Sequence, residues 1–172
     1  TASRLSYLLW DTAPDASLRE AAAKGQLGSR AQIEAQARRL MADSRARLAM
    51  NQFLSEWLRF DRVKGALRER KLYPEFGPEL IGAMLDETRR LFEHLVWGEQ
   101  SFLEFFTAEY SFLSTSLAGV YEVPAPASEF EMVRFQPGGK RAGILGHASF
   151  LTVTSKPSET APTERGLFVR EH

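Results

Sequence analysis

The sequence contains no cysteine. Within this chain, that excludes a disulfide framework, a thiolate zinc site, an iron–sulfur cluster, a cysteine nucleophile and a covalently attached c-type haem. No excess of either charge is present, because 22 basic residues balance 22 acidic ones. Dedicated nucleic-acid binders are usually strongly basic, so no nucleic-acid partner is expected. Long apolar runs are also missing. Tyr7-Leu8-Leu9-Trp10 and Leu95-Val96-Trp97 fall far short of the roughly 18 apolar residues that read as a membrane-spanning helix. No transmembrane segment is expected. No basic stretch followed by an apolar one opens the sequence, so no signal peptide is read in it.

What is present has an ordinary globular composition. The 172 residues are 44% hydrophobic and 26% charged, enough for one medium domain or for one domain and part of a second. Twelve Phe, three Trp and four Tyr exclude a fully disordered chain. The sequence enters an apolar pattern directly after Thr1 and ends at Glu171-His172 within a helical one. We therefore expect a fragment of a larger protein.

Helical spacing dominates. Leu5, Leu8 and Leu9 predict a first helix over about 2–10. Ser17-Leu18-Arg19-Glu20 and Ser29-Arg30-Ala31-Gln32 fit capping boxes, with Asp15 a competing cap for the first. Ala46, Met50, Phe53, Leu54, Trp57 and Leu58 form a wide aromatic stripe that predicts a central helix. Residues 61–77 lose periodicity and read as a basic loop. Gly77-Pro78 then opens the clearest helix, with Leu80, Ile81, Met84, Leu85, Leu91, Phe92, Leu95 and Val96 on one face and Gly98 at its end. Asp86–Arg90 and Arg89–Glu93 are spaced for i,i+4 ion pairs.

Ser101-Phe102-Leu103-Glu104 predicts a third capping box, and residues 111–121 read as one helix. Pro124-Ala125-Pro126 is a candidate boundary. A minor strand is expected near 131–136, then a turn at Pro137-Gly138-Gly139, a helix over 142–152, a Ser/Thr/Pro-rich loop and a last helix from about Pro162. The expected fold is all-α: an irregular multi-helix bundle over 1–123 with a short helical appendage over 124–172, the truncated start of a second domain. Charge divides unevenly along the chain. Residues 1–72 hold 14 basic and 8 acidic residues, and residues 73–172 hold 8 and 14, which reads as opposite surfaces or as a basic face for an acidic partner.

Few patterns carry chemistry. The histidines are His94, His147 and His172, and none has metal-ligand spacing, so no metal site is expected. Glu87 and His94 lie about two helical turns apart, too far for one small ion, and His94 reads as a cation at a helix C-terminus. Gly138-Gly139-Lys140 fails as a phosphate loop, because Arg141 follows where Ser or Thr is needed. No nucleophile elbow or dinucleotide fingerprint is present. The strongest candidate for a cofactor-binding or ligand-orienting site is His147 with the hydroxyls Ser149, Thr152, Thr154 and Ser155. A structural role for His147, bracing a loop, is the preferred reading.

Several segments carry a family resemblance. They are Arg4-Leu5-Ser6-Tyr7-Leu8-Leu9-Trp10, Phe53-Leu54-Ser55-Glu56-Trp57-Leu58, Glu87-Thr88-Arg89-Arg90-Leu91-Phe92-Glu93-His94, Tyr110-Ser111-Phe112-Leu113 and the stretch from Arg141 to Ser155. In order, they resemble domain of unknown function 1592 followed by the start of domain of unknown function 1588. Both are known from large, exported, planctomycete-type proteins that often carry cytochrome c modules. The resemblance implies a periplasmic or exported multidomain parent, with neighbouring domains and a haem-bearing module as partners. It also implies haem c in a downstream Cys-x-x-Cys-His segment that this chain lacks, and no cofactor in the chain itself. No catalytic residue transfers onto this sequence. The function expected is a non-catalytic structural or docking module. The alternatives are part of a haem-dependent redox enzyme with a polar site around His147, or a polysaccharide- or surface-binding module using Trp10 and Trp97.

Overall fold

The computed structural model describes residues 1–98, 100–136, 138–139 and 141–171. Helix dominates, with one two-stranded sheet among the described residues. The chain groups into two compact units, Thr1–Glu56 and Trp57–His172.

The first unit holds α1 (Ala2–Trp10), α2 (Ala16–Ala23), α3 (Arg30–Met41) and most of α4 (Ser44–Leu58). Helix α1 stops where Asp11 enters the left-handed region at φ 50°. The N-cap of α2 is Asp15, not Ser17: its carboxylate accepts from Leu18 N–H at 2.9 Å. Asp15 also receives both guanidinium arms of Arg39, at 2.8 and 3.1 Å. That tertiary partner selects Asp15, since Ser17 already lies inside the first turn. The box at Ser29 forms as expected, with Ser29 N–H donating to Gln32 Oε1 at 3.0 Å. Trp10 is buried and donates from Nε1 to Leu40 O at 2.9 Å. Arg45 stacks over its ring, 3.5 Å from the centroid. Helix α4 buries Ala46, Leu54 and Leu58 but leaves Phe53 53% exposed, so its apolar stripe is narrower in use than in sequence.

The second unit is built around α5 (Pro78–Trp97), which follows a 3₁₀ turn at Phe60–Gly65. Pro78 occupies the first turn, where a missing N–H costs nothing. Leu80, Met84, Leu91, Phe92 and Leu95 are buried on one face. Gly98 ends the helix, donating to His94 O at 2.9 Å; a Cβ there would stand 2.3 Å from that oxygen. The surface pairing departs from expectation. Arg89 meets Asp86 one turn back at 3.3 Å, and Arg90 lies over the Phe130 ring at 4.3 Å.

After α5 come α6 (Glu104–Thr107), β1 (Tyr110–Leu113), α7 (Thr115–Tyr121) and β2 (Glu131–Arg134). No side chain caps α6 at its start. The Glu104 carboxylate of the expected third box instead accepts the Tyr110 hydroxyl at 2.6 Å. The single helix expected over 111–121 is divided. Residues 110–113 pair antiparallel with 131–134, Tyr110 opposite Arg134, and Ser114 then caps α7 through Leu117 N–H. The strand expected near 131–136 is therefore β2, and it joins residues from either side of Pro124 in one sheet.

A 3₁₀ turn at Ile144–Gly146, α8 (Ala148–Val153) and α9 (Pro162–Glu171) complete the unit. The helix expected over 142–152 breaks at His147, which is extended (φ −66°, ψ 145°). Gly143 is held at φ +51° against Phe106, where a Cβ would come within 2.3 Å of Phe106 backbone carbon. In the expected Pro-Gly-Gly turn, Gly139 donates to Gln136 O at 3.0 Å; Pro137, Lys140 and His172 lie outside the described residues. Among the described residues, no helix is long and apolar enough to cross a membrane.

Candidate functional site

Within the second unit, four stretches of chain converge on a buried polar cluster. Helix α5 supplies Glu87 and Thr88, β1 supplies Ser111, α7 supplies Tyr121, and the start of α8 supplies Ser149 with His147 just before it. Glu87, Thr88, Ser111 and Ser149 have no exposed surface, and His147 keeps 2%. Burying this many polar groups is costly unless they satisfy one another.

All but one Glu87 oxygen do so, through a continuous chain of contacts. Ser111 Oγ donates to Glu87 Oε1 at 2.8 Å, and the Tyr121 hydroxyl donates to the same oxygen. Ala148 N–H donates to the Tyr121 oxygen at 3.0 Å. His147 Nε2 lies 3.3 Å from Ser111 Oγ and 3.9 Å from Glu87 Oε1. His147 Nδ1 lies 3.2 Å from Thr88 Oγ1, which in turn is 2.8 Å from Ser149 Oγ. Because Ser111 spends its one proton on Glu87, it can only accept at its contact with His147. The imidazole therefore carries its proton on Nε2, which leaves Nδ1 an acceptor facing Thr88 Oγ1; that hydroxyl also lies 3.3 Å from Met84 O.

Burial pushes the His147 pKa below its ordinary 6.5; Glu87 pulls it upward by a smaller amount, and Arg141 adds to the depression. Burial, followed by the Glu87 charge, raises the Tyr121 phenol well above 10. Arg141 stacks on the Tyr121 ring at 4.2 Å and donates to Gly146 O at 3.1 Å. The second carboxylate oxygen, Glu87 Oε2, is buried with no hydrogen-bond partner.

The residue types resemble a nucleophile–base–acid set, but the wiring differs. In a catalytic triad the acid orients the imidazole through one ring nitrogen, and the other faces the nucleophile. Here the carboxylate takes the serine proton directly, and Nδ1 faces a threonine. Every hydroxyl is directed inward, to a cluster partner. The arrangement stitches α5, β1, α7 and α8 together.

The site expected at His147 is brought together only in part. His147 and Ser149 meet through Thr88. Thr152 Oγ1 points to Met84 Sδ at 3.8 Å, Thr154 donates to Phe150 O at 2.7 Å and Ser155 to Leu151 O at 2.6 Å. The last two hydroxyls thus return to carbonyls of α8. Thr152 and Ser155 also line a cleft beside the cluster. Glu87, Thr88, Ser111 and Tyr121 complete the cluster, and sequence reasoning did not assemble them. A signal existed for two of them: Glu87 and Thr88 fall between Met84 and Leu91 on the buried face of α5, where two polar residues interrupt the apolar stripe. Among the described residues, no group of three or more His, Asp or Glu could hold a metal ion.

The family model described as "Protein of unknown function (DUF1592)" matches residues 1–123. The chain belongs to the DUF1592 family. No curated protein and no solved structure matches it. The DUF1592 stretch contributes Glu87, Thr88, Ser111 and Tyr121 to the cluster, while His147 and Ser149 lie beyond its end. The cluster therefore joins the DUF1592 stretch to the residues that follow it.

Proposed function

We propose that this chain is a non-catalytic helical module, a structural or docking part of a larger exported protein associated with c-type cytochromes. One observation carries the non-catalytic reading: the polar cluster around His147 is sealed, and its hydroxyl and imidazole groups are committed to one another. A catalytic base needs a substrate within hydrogen-bond reach, whereas His147 is enclosed by Thr88, Ser111 and Glu87. Its depressed pKa suits a neutral, load-carrying imidazole. The exported, cytochrome-associated setting is supported by the sequence resemblance of residues 124–172 to the start of domain of unknown function 1588.

Diethyl pyrocarbonate, followed by peptide mapping, tests the first part. His147 is expected to resist modification in the native protein and to react once the chain is unfolded in denaturant. Modification of native His147 at the rate of a free imidazole would overturn the reading and favour an open site. The setting is tested by the visible spectrum of the full-length gene product, expressed with c-type cytochrome maturation. A Soret band is expected. Its absence, with maturation working in the same cells, would remove the cytochrome association.

A further inference from the structure

A cleft of about 320 Å³ lies beside the sealed cluster, within the second unit. That volume is at the lower end of the range typical of small-molecule sites. Its floor is apolar, with Leu80, Met84 and Leu151, and its walls carry Arg68, Arg141 and Arg165.

The three arginines are unusual in their partners. Arg68 donates to the carbonyls of Thr152 at 2.5 Å, Leu67 at 2.9 Å and Lys156 at 3.2 Å. Arg141 donates to Gly146 O and Val120 O. Arg165 reaches Ser155 Oγ at 3.5 Å, and its Nε is buried with no partner. No carboxylate of the described residues stands in ion-pair range of any of them. Of the two acidic residues on the cleft wall, Glu159 is bound to Lys156 at 2.9 Å and Glu75 is exposed. Three guanidinium groups thus face an apolar-floored cleft with no carboxylate of the described residues in ion-pair range. Burial alone lowers the Arg68 pKa, and no carboxylate reverses it. Guanidinium groups held in place by carbonyls are preorganised donors for a planar anion.

We infer that this cleft binds a small amphipathic carboxylate, its headgroup on Arg165 with Arg68 and Arg141 alongside, and its apolar body on Leu80, Met84 and Leu151. The anion supplies the counter-charge that the guanidinium groups lack, and the floor excludes water from the tail. This binding site is independent of the structural role assigned to the cluster.

Thermal melts and isothermal titration with sodium octanoate test it, with octan-1-ol and inorganic phosphate as controls. Octanoate is expected to raise the melting temperature with concentration, as a ligand of the native state must; octanol and phosphate are expected not to. Arg165→Gln should weaken octanoate binding about tenfold, a loss of about 1.4 kcal/mol. Leu151→Glu, which sets a charge like the ligand's on the half-buried cleft floor, should abolish it while leaving the circular dichroism spectrum unchanged. No shift with octanoate, an equal shift with octanol or with phosphate alone, or unchanged binding in both folded variants would each overturn the inference.

Discussion

Ser111 Oγ donates to Glu87 Oε1 at 2.8 Å, with both residues wholly buried. This one bond ties the short strand β1 to the central helix α5, and it decides the tautomer of His147. Removing the carboxylate would leave the Ser111 and Tyr121 hydroxyls without their acceptor and open a cavity. Glu87→Ala is expected to cost about 3 kcal/mol or more, combining orphaned buried donors with lost packing. Urea unfolding measures it. A loss under about 1 kcal/mol would show that the cluster carries little stability.

His147 controls a pH dependence whose sign follows from its depressed pKa. In the unfolded chain the imidazole takes up a proton near its ordinary pKa of 6.5; in the folded protein it resists until lower pH. The unfolded state therefore binds more protons in that window, and stability falls as pH drops below about 6.5. His147→Gln removes the titration and keeps a polar side chain in the cluster. Its melting temperature is expected to lie below that of the parent at pH 7.5, and the gap to narrow as pH approaches 5. Parallel melting curves across that range would refute the assignment.

His147→Ala is expected to lower stability more than it alters any ligand binding, because the ring fills space that Thr88, Ser111 and Glu87 enclose. Melting temperature and octanoate titration on the same sample separate the two effects. A stable His147→Ala protein that lost a defined ligand or activity would sink the structural role.

Gly143 precedes the cluster at φ +51°, with Phe106 backbone in the path of any Cβ. Gly143→Ala is expected to cost about 3 kcal/mol or more, since both the backbone conformation and the close approach oppose it. Gly166, inside α9 with nothing within 4 Å of an added Cβ, is the control. Gly166→Ala should be neutral, or stabilising by up to about 1 kcal/mol through helix propensity. Chemical denaturation of the pair distinguishes a required glycine from a tolerated one.

Asp15 serves α2 twice, as N-cap and as partner of Arg39. The Arg39 hydrogen bonds, aided by Leu18 N–H and opposed by partial burial, hold its carboxyl below 3.8. That stabilisation is present above pH 4 and is lost as pH falls through the lowered pKa. Asp15→Ala should cost about 1–2 kcal/mol at neutral pH, in the range of a lost cap, and the cost should shrink toward pH 2. Chemical denaturation of both proteins at the two pH values is the check.

The local code of this chain was readable where neighbours in sequence decide the outcome. The box at Ser29, Pro78 at the head of α5, Gly98 at its end and the apolar spacing between them are contacts within one or two turns, and they formed as read. The candidate site was half legible. His147 and Ser149 stood out by residue type, while Glu87 and Thr88 showed only as polar breaks in an apolar stripe.

Tertiary structure decided the rest. Residues 111–113 read as the start of a helix until residues 131–134 arrive to pair with them, and Glu104, at the first position of α6 with Leu103 before it as N-cap, accepts from Tyr110 instead of closing a box with Ser101. Thr152, Thr154 and Ser155 cluster in sequence with His147, yet they turn to their own helix or to Met84. Ser111 and Tyr121, 36 and 26 positions before His147, turn inward to it or to its partner Glu87. The physical reason is common to all of these. Helix caps and stripes lower the free energy of a local segment on their own, whereas a buried polar group is tolerable only when a partner from elsewhere in the chain is present to satisfy it. Sequence alone determined the helices whose caps and apolar spacing are local, α3 and α5 above all; packing determined where the segments at 111–121 and 142–152 break and which polar residues face each other in the core.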